Sequence, residues 1–191
     1  MHYEEISRGQ LEKEIIEFLD NTSGMPDPNP GPDGCGTIHR TSLVLATSYE
    51  DVPRATPLEF FHEGLTIYIF GEPGGKIANI KRNPNVCAAI YEQPLTHSKT
   101  QKSLQLWGEA DLLSIRSDKQ MYMEKVEKWN MREVANKLMS PLINNLAPED
   151  QSKEVEKMLG ALNLLRIEPT RMVLRTYNPD FSMPKYEWKK E

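Results

Sequence analysis

Gly74-Gly75-Lys76 is the stretch whose residue types are best suited to chemistry. It follows an apolar segment, Thr66 to Phe70, across a Gly/Pro turn, and it opens a short helix that Asn83-Pro84 closes. The first N–H groups of a helix have no internal partner and sit at the positive end of its dipole. Glycine lets a backbone approach a ligand closely, and Lys76 adds a full charge at the rim. Such a corner suits an anion, above all a phosphate. It is not the loop that binds ATP, which needs Gly, four residues, Gly-Lys and then Ser or Thr. Phe70 stands where the first of those glycines belongs, and Ile77 replaces the hydroxyl that would hold magnesium. The G-x-G-x-x-G dinucleotide fingerprint is absent from this turn as well. An ordinary strand–turn–helix with a solvated lysine stays open as the alternative.

Other reactive side chains are dispersed. His2, His39, His62 and His97 form no H-E-x-x-H, and Cys35 and Cys87 give no zinc spacing. Cys35 with His39 would need a third group and a rigid platform, and a glycine-rich loop is a poor one. Cys87, among Val86, Ala88, Ala89 and Ile90, reads as a small buried hydrophobe.

At 191 residues the chain is read as one domain with a sizeable core. No run of about eighteen apolar residues exists, so no membrane span is expected. The start, Met1 to Glu5, lacks the layout of a secretory signal, and two cysteines make no disulfide framework. A cytoplasmic location is the expectation. A net charge of −5 disfavours grip on a nucleic-acid backbone, which needs clustered Lys and Arg.

Elements must position the Gly-Gly-Lys corner. Ser7 can cap a helix through Leu11, Ile15 and Leu19. Asn21 to Gly36 is a Pro/Gly loop. Strands are expected at Ser42–Ser48, Arg54–Glu59, Thr66–Phe70, Val86–Tyr91 and Ser103–Leu113, with Gly108 a bulge or close approach and Pro57 marking an edge, a bulge or an N–H site turned toward a ligand. Ser117 to Leu162 is helical in period: Tyr122, Val126 and Trp129, then Met131, Val134, Ala135 and Leu138. Pro141 is expected to interrupt it, and Pro148 to start another helix. A last strand is expected at Arg171–Tyr177, before a polar tail. Strands joined by tight turns are antiparallel, and about six of them are expected to close into a small barrel. Side chains fill such a barrel, so a ligand must lie outside it or between two copies, which points to a homodimer.

The serial order of these parts resembles the pyridoxamine 5'-phosphate oxidase-like family of FMN-binding split β-barrels. The resemblance covers Ile38 to Leu113, supported by Arg171–Tyr177. Its carriers are L-V-L-A-T-S with an acidic turn, R-A-T-P-L, L-T-I-Y-I-F-G, G-G-K-I-A-N-I-K-R-N-P-N-V and L-Q-L-W-G-E-A-D-L-L. It implies a mainly β fold with helices: a six-stranded antiparallel split β-barrel with a helical insertion before the last strand. The single domain then divides into a helix (1–20), a Pro/Gly loop (21–37), the barrel (38–116), the insertion (117–165) and a closing strand with tail (166–191).

By that resemblance, FMN lies in two equivalent grooves of a homodimer. Arg54 is expected to reach the phosphate, and Ala55, Thr56 and Pro57 to offer backbone groups to the ring and ribityl chain. Lys76 matches the family's phosphate lysine. Phe70 and Gly71 end the neighbouring strand, Gly71 where many relatives place a threonine. Gly75 departs from the oxidases proper, which carry a second basic residue there. That departure argues against strict pyridoxamine phosphate oxidase activity. Gln105 and Trp107 are expected to come from the partner subunit. The implied function is an FMN-dependent oxidoreductase of a small organic substrate. The alternative is a non-catalytic FMN- or haem-binding protein for storage, sensing or electron relay. Relatives also take F420 or haem, and haem would need His39 or His62 as its axial ligand.

Overall fold

A computed structural model describes residues 3–29, 34, 36–92 and 98–191. Cys35, His2 and His97 lie outside the described residues, as does most of the Gly/Pro-richest part of the 21–37 loop. The elements run α1 (Arg8–Thr22), β1 (Met25–Pro26), β2 (Thr37–Ile38), β3 (Leu43–Tyr49), β4 (Val52–Leu58), β5 (Phe61–Glu63) and β6 (Thr66–Gly71). Then come α2 (Gly75–Ile80), β7 (Asn85–Tyr91), β8 (Gln101–Leu113), α3 (Lys119–Lys128), α4 (Met131–Ile143), α5 (Pro148–Ala161), β9 (Asn163–Tyr177) and β10 (Lys185–Lys189).

All strand pairs are antiparallel, as the tight turns require. The expected six-stranded closed barrel is corrected. Eight strands form one open sheet in the order β4-β3-β7-β8-β9-β6-β5, with β10 also on β9, and β1–β2 stand apart as a two-stranded sheet. Among the described residues no ladder joins β4 to β5, so the sheet stays open at both ends of that order.

The reason lies in β9. It begins at Asn163, eight residues before the expected Arg171, and pairs along nearly its whole length with β8. On its other side Ile167 and its predecessors pair with β6, whereas Arg171 and its successors pair with β10. Pro169, which has no N–H to give, sits at the fork opposite Gly108. There the register slips between Trp107 and Gly108, the bulge the sequence suggested. A Cβ on Gly108 would lie 2.3 Å from the Glu168 carbonyl oxygen, so only glycine fits.

Two cores flank the sheet. The larger sets Leu43, Leu45, Leu104, Leu106, Ile67 and Ile69 against Leu11, Ile15, Phe18 and Leu19 of α1 and Ile77 and Ile80 of α2. Ser7 caps α1 by accepting the Gln10 N–H. The second core lies between β5–β6 and α3–α5. Phe61 stacks on Trp129 with ring centroids 4.8 Å apart, and Phe70 meets Tyr122 edge-on at 6.0 Å. The alternation in Thr66–Phe70 is thus a strand buried on both faces, with Ile67 and Ile69 in one core and Tyr68 in the other.

Pro141 does not interrupt α4, which runs on to Ile143. Its missing N–H would have bonded the Lys137 carbonyl, and the Ser140 hydroxyl donates to that carbonyl instead at 2.9 Å. The tail is not merely polar. Tyr186 and Trp188 point β10 toward the larger core, and Trp188 Nε1–H donates to Glu12 on α1 at 2.6 Å.

Candidate functional site

The corner forms where α2 starts beside edge strand β4. Ile77 and Ile80 bury one side of α2 in the core. Asn79 Nδ2 donates to Thr47 Oγ1 at 3.2 Å, and Asn83 Nδ2 to the Ser48 carbonyl at 3.2 Å, so α2 is pinned on β3. Arg54 pairs with Thr47 across the β3–β4 ladder, and its side chain crosses to the same place. Its guanidinium lies on the backbone of Gly75. A Cβ there would meet Cζ at 2.7 Å and Nε and Nη2 at 2.8 Å. Lys76 folds back so that Nζ donates to the Glu72 carbonyl at 3.3 Å. Its Cε would be 3.1 Å from a Cβ on Gly71. Arg54, Gly75, Lys76 and Gly71 are therefore one constellation. Two glycines leave the room that two cationic side chains occupy.

Two hollows adjoin this corner. One, of about 430 Å³, is lined by Arg54, Ala55, Gly75 and Asn79, with Tyr49 at its side. The other, of about 560 Å³, is lined by Pro57, Phe70, Gly71 and Lys76 on the sheet side. Its opposite wall is apolar and comes from α4 and α5: Met131, Val134, Leu138, Met158 and Leu162. Both fall within the range of small-molecule sites. The periodicity of Met131, Val134, Ala135 and Leu138 was visible in the sequence, but which face of the protein they would wall was not. Glu59, Glu72 and Ser42 also line the larger hollow and carried no sequence signal.

Three expected residues do not line these two hollows. Thr56 is half-buried and pairs with the core residue Leu45, between Ala55 at the smaller hollow and Pro57 at the larger. Gln105 and Trp107 are on β8, separated from β4 by β3 and β7. They share the outward sheet face in strict rows: Pro57, Val44, Ala89, Gln105 and Val173 in one, Ala55, Ala46, Cys87, Trp107 and Arg171 in the next. Gln105 borders a third hollow, of about 390 Å³, with Tyr91, Ser103, Arg175 and Tyr177. Trp107 is half-covered by the Arg171 guanidinium, 4.4 Å from its ring centre. Cys87 is half-buried on this face rather than in the core, and burial pushes its thiol pKa up.

His39 Nε2 lies 2.9 Å from Thr37 Oγ1 and 3.2 Å from Glu59 Oε2, while Nδ1 is buried without a hydrogen bond among the described residues. Burial pulls its pKa down against the opposing pull of Glu59. His62 uses both ring nitrogens, toward the Gly64 carbonyl and Asp20. Among the described residues no helix is long and apolar enough to cross a membrane.

Residues 38–175, well over half of the chain, match the family model of pyridoxamine 5'-phosphate oxidase. The chain belongs to that family. Solved structures share the fold. A Listeria innocua protein with a provisional pyridoxamine 5'-phosphate oxidase name superposes with a TM-score of 0.51 at 20% identity, over 85% of this chain and 95% of its own. PhzG from Burkholderia lata 383, solved with tetrahydrophenazine-1-carboxylic acid, gives 0.53 at 13% identity, over 80% and 77%. A Bacteroides thetaiotaomicron protein with a provisional 5-nitroimidazole antibiotic resistance name gives 0.50 at 16% identity, over 92% and 94%. At such identities the likeness is one of fold alone. A comparison with curated proteins returns no match.

Proposed function

We propose that this member of the pyridoxamine 5'-phosphate oxidase family binds FMN as a homodimer and is an oxidoreductase of a small organic molecule. The observation that carries the reading is the Arg54 guanidinium seated on Gly75, whose neighbour in the chain, Lys76, lines an apolar-walled hollow. FMN joins a dianionic phosphate to a flat apolar ring, and this corner offers the matching pair of environments. Arg54 and Lys76 supply two cations whose hydrogen bonds to a phosphate are charge-assisted. Lys76 gives up only a carbonyl contact at 3.3 Å to do so. Pro57 and Phe70 give the ring an apolar surface, and the free edge of β4 leaves backbone groups for its polar rim. Bound there, FMN would supply hydride or electron transfer, chemistry that no side chain of the corner has by itself.

The outward face supports the dimer. Ala89 and Gln105 are exposed there, with Val44 36% and Tyr91 41% exposed. A second copy seated on the face would cover these groups and bring its own Gln105 and Trp107 toward the first copy's β4. The colour and absorption spectrum of the pure protein test the reading. Flavin bands, or their appearance on titrating apoprotein with FMN to one per chain, are expected. A colourless protein that takes up no FMN overturns it. Bound flavin that no nicotinamide donor and acceptor pair can turn over would convert the oxidoreductase into a flavin carrier.

A further inference from the structure

The third hollow, of about 390 Å³ on the outward sheet face, has one charged lining group, Arg175. Strand β9 carries three arginines. Arg166 reaches Asp111 at 2.7 Å, and Arg171 reaches Glu187 at 2.6 Å. Arg175 is half-buried, and among the described residues no carboxylate pairs with it. Its Nη1 donates to Tyr177 Oη at 3.5 Å, and the guanidinium lies 5.9 Å from the centre of that ring. Most of its N–H groups are left without a protein acceptor. Tyr177 Oη is in turn 3.3 Å from Ser103 Oγ, and Ser103 stands directly opposite Arg175 in the β8–β9 ladder. On the other flank of β9 the residue directly opposite Arg175 is Lys185, a second cation without a carboxylate among the described residues. Like charges directly opposed across a ladder repel, so an anion seated here relieves a repulsion as well as gaining an attraction.

We propose that this hollow is a second ligand site, for an oxyanion carried on a small apolar body. The oxyanion sits on Arg175, and the body lies on Ala89 and Val173. A guanidinium is a planar fork that matches carboxylate or phosphate oxygens. The Ser103 and Tyr177 hydroxyls can turn their hydrogens toward the same oxygens, and no carboxylate lines the hollow to oppose them. The volume suits a small molecule rather than a bare ion. The site shares no residue with the Arg54–Gly75–Lys76 corner and goes beyond the FMN reading. Ala89, Gln105 and Val173 belong to the row on which a second copy is proposed to sit. That copy would roof the hollow, which extends to Tyr91 and Tyr177 at the ends of β7 and β9.

Equilibrium dialysis at pH 7, with excess FMN present to fill the corner, tests the site. The probes are 2-naphthoate, 2-naphthyl phosphate and the neutral 2-naphthalenemethanol, which share one body. At least one oxyanion is expected to bind roughly tenfold tighter than the alcohol, and the better of the two assigns carboxylate or phosphate. Arg175→Gln should bring that oxyanion down to the level of the alcohol, with the alcohol's affinity and FMN uptake unchanged. Arg175→Lys, which keeps the charge without the fork, should restore part of the loss. Tyr177→Phe keeps the ring and removes only a hydroxyl, so it should fold as the parent does and weaken the oxyanion severalfold. Oxyanions that bind no tighter than the alcohol, or an unchanged preference in Arg175→Gln, overturn the proposal. So does a preference lost in Lys76→Ala but kept in Arg175→Gln, which would put the ligand at the corner. Loss of FMN uptake in Arg175→Gln would assign the arginine to the flavin and overturn it as well. Parent protein that takes up no FMN but still prefers the oxyanion through Arg175 overturns the FMN reading alone.

Discussion

Arg54 rests its guanidinium carbon 2.7 Å from the point where a side chain on Gly75 would begin. The glycine is a socket for the arginine. Gly75 is exposed and opens α2, so a larger residue there need not disturb the core, but it must push Arg54 aside. Gly75→Val should therefore weaken FMN binding roughly tenfold, and Lys76→Ala by about 1–3 kcal/mol, with urea stability near that of the parent. Titration of each apoprotein checks this; unchanged affinity in both would remove the corner from the site.

Gly108 faces backbone rather than a side chain. The Glu168 carbonyl, 2.3 Å from a Cβ built there, has nowhere to go without opening the β8–β9 ladder. Gly108→Ala should cost about 3 kcal/mol or more. Urea denaturation reads the loss, and a midpoint equal to the parent's would contradict the close approach.

A charged clasp holds α3 on β5–β6. Lys125 Nζ, its side chain 7% exposed, donates to Glu63 at 2.8 Å and to Glu124, and Lys128 also reaches Glu63. Burial would raise the Glu63 pKa, but the bonds from Lys125 and Lys128 outweigh it and hold the carboxyl below its ordinary 4.5. Its stabilisation is complete above about pH 4.5 and is lost as pH falls through the lowered value. Burial would lower the Lys125 pKa, but Glu124 and Glu63 outweigh it and raise it above 10.5. That contribution is present below pH 10.5 and fades as pH rises through the folded value. Glu63→Gln should cost about 2–4 kcal/mol at pH 7, because one partner of a largely buried pair is neutralised while others remain. The gap between variant and parent should shrink below pH 4.5, which denaturation at stepped pH measures.

Ala89 sits in the centre of the outward row between Val44 and Gln105. Ala89→Arg places a charge on the face proposed to join two copies, so light scattering should report a monomer that holds FMN poorly. A variant still dimeric, with full FMN affinity, would move the interface elsewhere.

Much of this was legible residue by residue. Gly74-Gly75-Lys76 announced a helix start with a cation, Pro57 an edge as one of three alternatives, and Gly108 a bulge or close approach, because backbone chemistry at Gly and Pro is local. Tyr122, Val126 and Trp129 announced a packed helix face through their spacing alone. Sheet closure was not legible. It depended on β9 changing neighbours at Pro169, and a strand's own residues do not name the strand beside it. The β10 tail, K-Y-E-W-K, is too short and polar to declare itself before Trp188 finds Glu12 and the core.

The sequence by itself determined the strand alternation, the helical insertion and the family, since these follow from local spacing and from motif order. Only the tertiary structure decided that Arg54 meets Gly75 and that α4 and α5 wall the larger hollow. Only it put Glu59 at that hollow, tied to His39. Those are contacts between segments far apart in the chain, fixed by how the cores pack and not by any residue's neighbours in sequence.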